Sequence, residues 1–232
     1  MNAHVDRTPT GDDPRLDVAE SQRLIAASQE RARRGLEPDG RLLFGTWAVA
    51  WGVGYTVLWV SARDTGASPG GVAFAVFFAL LAAAVAITIV HIVRRTAGTR
   101  GPSARAGALW GWGWPVGFSV YGLILGGIAD AGASDAVIGL VANALACVIV
   151  GLMYLGGAAC FGEVRLYGLG VWIILVAGAA TFAGMPTTYL VMAAAGGGGF
   201  LVMAVVEVAL AARRRRTGTP APASTAVERD AA

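Results

Sequence analysis

Four residues at the ends of apolar segments have types that could move protons. Glu207 and His91 lie near the ends of long apolar runs, and Glu163 and Arg165 lie in a short polar break between two others. A carboxylate near an imidazole can pass protons, and ionisable groups in membrane segments are costly enough to indicate function. The sequence therefore predicts one polar vestibule for proton coupling. The alternative is that Glu207 pairs with a nearby Arg while His91 lies among lipid headgroups.

A run of glycines interrupts the last apolar segment at Gly196, Gly197, Gly198 and Gly199. Each glycine destabilises a helix by about 1 kcal/mol relative to alanine, so the run favours local unwinding. Unwound backbone inside a membrane lines cavities, where its carbonyl and amide groups can bind a solute. We expect a substrate site here. The alternative is a groove into which another helix packs.

Three further residues could contact a solute inside the membrane. Trp51 and Tyr55 belong to a stripe of aromatic residues four apart, with Trp47 and Trp59, that could stack on a flat or cationic compound. The alternative is that the outer two are interfacial anchors and the middle pair packs against neighbouring helices. Asn143 lies deep in an apolar segment, and we expect it to hydrogen-bond across helices.

The composition argues against several chemistries. All 18 basic residues are Arg, and without Lys there is no Schiff base, pyridoxal-phosphate anchor or P-loop lysine. With two His and two Cys, the latter about 20 Å apart on one helix, a metal site or disulfide is not expected. We expect no cofactor. An enzyme, modifying lipids through Glu207, His91 and Glu163, ranks third among the functions considered.

Six apolar stretches must position these residues. The chain is 56% hydrophobic and 14% charged, whereas soluble domains are about 25% charged. Each stretch is near or above the roughly 20 residues that cross a bilayer, and none alternates as a membrane β-barrel does. The predicted fold class is an all-α membrane protein, a bundle of six transmembrane helices over 42–212. The stretches are 42–61, 72–93, 108–129, 136–159, 166–184 and 188–212.

The Arg residues indicate the orientation. If the N-terminus is cytoplasmic, 17 of the 18 Arg lie on the inner side, whereas Arg63 faces outward with Asp64, Asp130 and Asp135. We therefore expect a multi-pass plasma-membrane protein with both termini in the cytoplasm. Its expected partners are the lipid bilayer and anionic lipid headgroups at the cytoplasmic face, and no nucleic acid.

Polar tails flank the apolar domain. Residues 1–41 are predicted to be a cytoplasmic tail with a short helix over about 18–34, which begins after an Asp-x-x-Glu capping signal. That helix is either solvated or docks on a membrane surface or a partner. Residues 213–232 are predicted to be a basic, disordered cytoplasmic tail.

Two patterns concern helix packing. Residues 51–57 (WGVGYTV) and 114–120 (WPVGFSV) are identical at four of seven positions, which favours a duplicated parallel hairpin of helices 1–2 and 3–4. Three small-xxx-small pairs in the third stretch allow close approach, either inside the bundle or at a homo-oligomer seam. The pairs are Gly107 with Gly111, Gly113 with Gly117, and Gly122 with Gly126.

Residues 33–55 (RRGLEPDGRLLFGTWAVAWGVGY) resemble the start of small, uncharacterised actinobacterial six-helix integral membrane proteins that are loosely called transporters. The resemblance implies the same topology and implies no catalytic or binding residue. Two functions are then expected. One is a transporter or permease for a small solute, in which the glycine run opens the site and Glu207 with His91 couples protons. The other is a non-transporting membrane subunit or anchor that docks a cytoplasmic or membrane partner.

Overall fold

The described part of the chain is built from helices. The computed structural model describes residues 18–36, 38–65, 68–98 and 102–216, and every regular element within them is helical. The chain divides into two units, Met1–Glu37 and Pro38–Ala232. In the first unit, helix α1 is Val18–Leu36, so the short helix predicted over 18–34 is present. The predicted C-terminal tail lies outside the described residues from 217 onward.

Six helices of the second unit are long and apolar enough to cross a membrane, which confirms the predicted fold class and all six stretches. The first span begins at Gly40, two residues before the predicted start. The sixth span, Thr187–Arg213, is composed of three consecutive helical pieces. The elements are α2 (Gly40–Thr65), α3 (Gly71–Thr96), α4 (Pro102–Asp130), α5 (Asp135–Phe161), α6 (Val164–Ala183), α7 (Thr187–Val191), a π-helical segment (Met192–Gly197) and α8 (Gly198–Arg216).

The spans form a chain of helix contacts whose order differs from their order in the sequence. Helix α3 packs on α2, and α2 packs on α7, the π segment and α8. These three pieces also contact α6, which packs on α5, and α5 packs on α4. Within the described residues, α3 and α4 therefore lie at the two ends of the chain of contacts, each against one principal neighbour.

The core lies where α2, α6 and the sixth span meet. Phe200 and Leu58 are 1% exposed, and Ile173 and Met192 are fully buried. The ring of Trp51 meets Phe200 edge-on at 5.2 Å between centroids. Burial of such large side chains is the main source of packing energy in the core. The interior at this level is filled by side chains.

Close backbone contacts between helices require glycine at two places. A Cβ atom at Gly170 in α6 would lie 2.8 Å from the carbonyl oxygen of Gly151 in α5. A Cβ atom at Gly197 in the π segment would lie 2.8 Å from the backbone nitrogen of Gly52 in α2. Real Cβ atoms do not approach backbone so closely, so these glycines set the helix spacing.

One of the three predicted small-residue pairs packs inside the chain. Cβ atoms at Gly113 and Gly117 would lie 3.0 Å from Met153 and 3.2 Å from Ile149, both in α5. Cβ atoms at the other four glycines would meet nothing within 4 Å. The homo-oligomer seam stays a prediction for those four, which are Gly107, Gly111, Gly122 and Gly126.

The two halves of the predicted repeat share one packing feature and differ in another. Gly54 and Gly117 occupy equivalent positions, and each faces the helix that follows it, at Phe77 and at Ile149. Trp51 is buried, whereas the equivalent Trp114 is half-buried. Duplication of the hairpin stays a prediction.

The turn between α5 and α6 is short because a glycine ends α5. Gly162 has a left-handed φ of 70°, and its N–H and that of Glu163 both donate to the carbonyl of Ala158. This arrangement satisfies the last carbonyl groups of a helix and turns the chain sharply. As a result, Glu163 and Arg165 lie directly at the helix ends.

Candidate functional site

The ionisable residues predicted to act together all lie at one end of the bundle, where α2, α4 and α6 begin and α3, α5 and α8 end. We call it the basic end, because Arg side chains mark it and the opposite end carries mostly acids. The described Arg residues of this end are Arg41, Arg94, Arg95, Arg105, Arg165, Arg213 and Arg216.

Three charged side chains form an ion-pair cluster at the basic end. The guanidinium of Arg165 donates from Nη2 to Glu163 Oε2 at 3.1 Å and from Nη1 to Glu207 Oε1. The Glu207 side chain is 20% exposed, and those of Arg165 and Glu163 are about one-third exposed. Arg165 thus ties the start of α6 to α8. A planar guanidinium suits this role because it presents several donors in a fixed fork.

Glu207 also packs on the start of α2. A Cβ atom at Gly40 would lie 2.9 Å from Cγ and 3.0 Å from Cδ of Glu207. Its carboxylate also interacts electrostatically with Arg41. Helices α2, α6 and α8 therefore meet at this carboxylate.

A second polar group, next to the ion-pair cluster, joins α2 to α3. The backbone N–H of Asp39 donates to Nε2 of His91 at 2.9 Å. The Asp39 carboxylate accepts from Nε of Arg41 at 2.9 Å and from Nη2 at 2.7 Å. These side-chain hydrogen bonds lower the pKa of Asp39 to about 2. Because Nε2 of His91 accepts, protonation of that nitrogen would remove this contact between the two helices.

The structure brings together three of the four residues predicted to form a vestibule, and the pairing of Glu207 with an Arg, stated as the alternative, is present. Arg165 contacts both Glu163 and Glu207 directly. His91 bonds to Asp39, one residue before the Gly40 on which Glu207 packs. Glu207 and His91, both among the described residues, therefore bond different partners. Proton coupling by these groups stays a prediction.

The glycine run is helical and closely packed. Residues 192–197 form the π segment, and the helix continues through Gly198 and Gly199. Gly196 lies against the ring of Trp51, where a Cβ atom would be 2.8 Å from Cε3. The local unwinding expected from four glycines is absent from this part of the described chain, and the packing groove weighed as the alternative is present. A solute site at the glycines stays a prediction.

Trp172 of α6 holds the wide turn of the π segment. Its indole Nε1 donates to the carbonyl of Ala195 at 2.9 Å. A Cβ atom at Gly199 would lie 2.6 Å from Cδ1 of the same ring. The same carbonyl also accepts the backbone N–H of Gly198, so the indole adds a second donor where the π turn disturbs the regular i→i−4 ladder.

The other predicted contact residues are engaged in packing or in local bonds. Trp51 and Tyr55 are each 5% exposed and meet edge-on at 5.7 Å. A ligand could stack on either ring only after neighbouring side chains move. The amide of Asn143 donates to the Gly139 carbonyl of its own helix at 2.8 Å. The donated bond expected across helices is therefore local.

The outer residues of the aromatic stripe have polar partners. The indole Nε1 of Trp47 donates to the Thr88 hydroxyl at 3.1 Å, and Arg63 lies 4.6 Å above the ring of Trp59. Such contacts are typical of aromatic side chains with one polar neighbour near a membrane interface.

An open groove lies between α2 and α3 at the basic end. Its volume is about 570 Å³. We call it the α2–α3 groove. Arg41 stands at its mouth, and the wall is almost entirely apolar apart from Thr46. The remaining lining residues are Leu42, Gly45, Val49, Ala50, Leu80, Ala83, Ala84 and Ile87.

Sequence reasoning missed three residues that the structure connects to these sites. They are Asp39, Arg41 and Trp172, none of which has a predicted role at these sites. An available signal was the pair of opposite charges two residues apart at the start of the first span, in the PDGR segment. The partner of Trp172 could not be inferred, because the bond depends on the π turn.

Comparison with protein-family models, with curated proteins and with solved structures found no match. Within residues 18–36, 38–65, 68–98 and 102–216, no group of three or more His, Cys, Asp or Glu could hold a metal ion.

The ion pairs of the basic end are formed by partly exposed side chains. Ion pairs with partly exposed side chains contribute roughly 1 kcal/mol or less, so a change in charge can break them. Protonating Glu207 would release α8 from Arg165, which would keep Glu163 as its partner.

Proposed function

We propose that this multi-pass membrane protein is a transporter or permease for a small amphipathic solute, coupled to protons at Glu207. The observation that carries the proposal is the fork of Arg165 between Glu163 and Glu207, which joins two membrane spans. A carboxylate within a membrane span is energetically unfavourable, so its presence there indicates a functional site.

In this proposal, the ion-pair cluster acts as a gate. Deprotonated Glu207 holds Arg165 and keeps α8 against α6. Protonation removes the charge and lets the helices part at the basic end. Alternating access needs such a reversible closure at one end of the bundle.

We put the solute site at Gly196, Gly197, Gly198 and Gly199, as predicted from the sequence. Its support is the π-helical conformation, which is frequent at functional sites. Movement of Trp172 would uncover the carbonyl of Ala195 as an acceptor for the solute. His91 would take part indirectly, through its bond to Asp39 beside Gly40.

The test is proton movement in proteoliposomes loaded with a pH-sensitive dye. Purified protein is challenged with amino acids, sugars, organic anions and organic cations, each class separately. We expect one class to drive proton movement, and Glu207→Gln to reduce it at least about tenfold, because the amide cannot carry the proton. Asp130→Asn, at the exposed opposite end of the bundle, is the matched control. Proton movement with no class, or equal movement in Glu207→Gln, would contradict the proposal.

A non-transporting subunit is the second candidate, favoured by α1. This helix belongs to its own unit, and Val18 and Ile25, seven residues apart on one face, are exposed. An amphipathic helix of this kind can dock a partner. Deleting residues 1–36 should then abolish cross-links to that partner in native membranes. Recovery of the same cross-links without α1 would count against this function.

The proposal includes the orientation of the protein in the membrane. With both termini in the cytoplasm, the basic end faces the cytoplasmic leaflet of the plasma membrane. Its Arg residues would then lie among anionic headgroups, which are attracted by positive charge near the surface.

A further inference from the structure

We propose that an anionic phospholipid occupies the α2–α3 groove, with its phosphate on Arg41 and an acyl chain along the apolar wall. The lipid comes from the leaflet at the basic end. The inference does not depend on transport, since it rests on the groove and its Arg residues alone.

The groove has the length of one leaflet. Its lining runs along α2 from Arg41 to Ala50. Nine residues at 1.5 Å each span about 14 Å, which is about half of the 30 Å hydrocarbon core. An acyl chain in the groove would therefore extend from the headgroup level towards the middle of the bilayer.

Small residues keep the groove open. Gly45, Ala83 and Ala84 contribute little side-chain volume to its wall, and a Cβ atom at Gly45 would meet nothing within 4 Å. The volume of about 570 Å³ lies within the range of small-molecule sites. An almost wholly apolar wall has few groups to orient a polar solute, whereas a hydrocarbon chain needs none.

The charge at the mouth fits a phosphate. Asp39 holds Nε and Nη2 of Arg41, which fixes the guanidinium and leaves Nη1 to donate to a phosphate oxygen. Arg94 follows Ile87 of the groove wall by seven residues, two turns along the same face of α3. Its positive charge adds to that of Arg41, whose own charge is offset by Asp39 and by the nearby Glu207 carboxylate. The site should thus prefer an anionic headgroup to a zwitterionic one.

The experiment uses the full chain in nanodiscs with equal amounts of phosphatidylglycerol and phosphatidylcholine. After transfer into mild detergent, native mass spectrometry counts the retained lipids. We expect one retained phosphatidylglycerol, preferred at least about fivefold, the effect of one Arg near a lipid surface. Arg41→Gln should reduce that preference about fivefold.

Gly45→Leu tests the groove itself, since the leucine side chain fills the space of the acyl chain. Retention of phosphatidylglycerol should fall at least about fivefold. Gly126→Leu is the matched control, because a Cβ atom there also meets nothing within 4 Å, and it should retain lipid as the wild type does.

Several results would overturn the proposal. They are the absence of a phosphatidylglycerol preference in the wild type, retention of only detergent or free fatty acid, and equal retention in Gly45→Leu and Gly126→Leu. If Gly45→Leu fails to give a folded protein by gel filtration, Arg41→Gln decides the question. Arg41→Gln alters a side chain that is 43% exposed. If this variant keeps the wild-type preference for phosphatidylglycerol, the assignment of the phosphate to Arg41 is overturned.

Discussion

Asp39 contacts two helices through two different groups. Its backbone N–H bonds to His91 at the end of α3, and its carboxylate bonds to Arg41 in α2. The residue therefore fixes where the first span starts and which way the Arg41 guanidinium points. A single residue thus joins α2 to α3 and orients the guanidinium at the mouth of the α2–α3 groove.

The lowered pKa of Asp39 makes its contribution to stability depend on pH. The Arg41 hydrogen bonds lower the pKa from the ordinary 3.8 to about 2, so the stabilisation is present above 3.8 and is lost as the pH falls through about 2. We expect Asp39→Asn to unfold a few degrees below the wild type at neutral pH, since a partly exposed pair contributes about 1 kcal/mol or less.

The measurement is thermal unfolding of the detergent-solubilised protein across this pH range. The difference between Asp39→Asn and the wild type should stay constant above about pH 5 and shrink below pH 4. Asp130→Asn serves as the control for removing a carboxylate elsewhere. If the difference in melting temperature between Asp39→Asn and the wild type grew as the pH fell, the deprotonated Asp39 could not be the stabilising form.

Helix pairs in this protein are positioned by a few closely packed glycines, and most of the paired glycines of the third apolar stretch are not among them. Gly151 and Gly170 bring α5 and α6 into backbone contact. By contrast, four of the six glycines paired in the third stretch are open on the side where a Cβ would project. Spacing alone does not identify the contacting glycines, because four glycines with small-xxx-small spacing are open, whereas Gly151 and Gly170 pack closely with no glycine four residues away.

The close contact between α5 and α6 predicts a sharp difference between two alanine substitutions in one helix. In Gly170→Ala the new Cβ would lie 2.8 Å from a backbone oxygen, whereas in Gly178→Ala it would meet nothing within 4 Å. We expect Gly170→Ala to destabilise the protein by about 1–3 kcal/mol because the helices must move apart. Gly178→Ala should be neutral or slightly stabilising, since alanine favours helix.

Thermal unfolding in one detergent would compare these two variants. Equal melting temperatures for Gly170→Ala and Gly178→Ala would show that α5 and α6 separate without cost at this point. If both variants kept the stability of the wild type, residues other than Gly170 would set the spacing between α5 and α6.

At the scale of the whole molecule, hydropathy was sufficient to predict the six spans. In lipid, the apolar length of a segment and the need to satisfy its backbone hydrogen bonds leave few alternatives to a spanning helix. Polar residues at helix ends were also predictable as neighbours, and Glu163, Arg165 and Glu207 do meet. The order of helix contacts and the π segment were not predictable. They depend on which apolar faces fit together, and nearly every face of these helices is apolar.

The orientation of the whole molecule can be tested with its own cysteines. Cys160, in the last turn of α5 at the basic end, is exposed, whereas Cys147 is buried. If the basic end is cytoplasmic, a membrane-impermeant maleimide should label Cys160 in inside-out vesicles and not in intact cells.

Cys160→Ser should remove this labelling, and Cys147→Ser should leave it unchanged. A thiolate is the reactive species, so accessibility to water is required for either cysteine. Labelling in intact cells would reverse the proposed orientation.

The π segment determines which neighbouring helix the Glu207 side chain faces. A π turn contains one residue more than an α turn, and each residue advances a helix by about 100°. If residues 192–197 were ordinary α-helix, everything after them would be rotated by about that angle relative to Trp51, against which Gly196 packs. Glu207 would then be directed away from Arg165. The indole of Trp172, which lies in α6, thereby influences the direction of a carboxylate that it never touches.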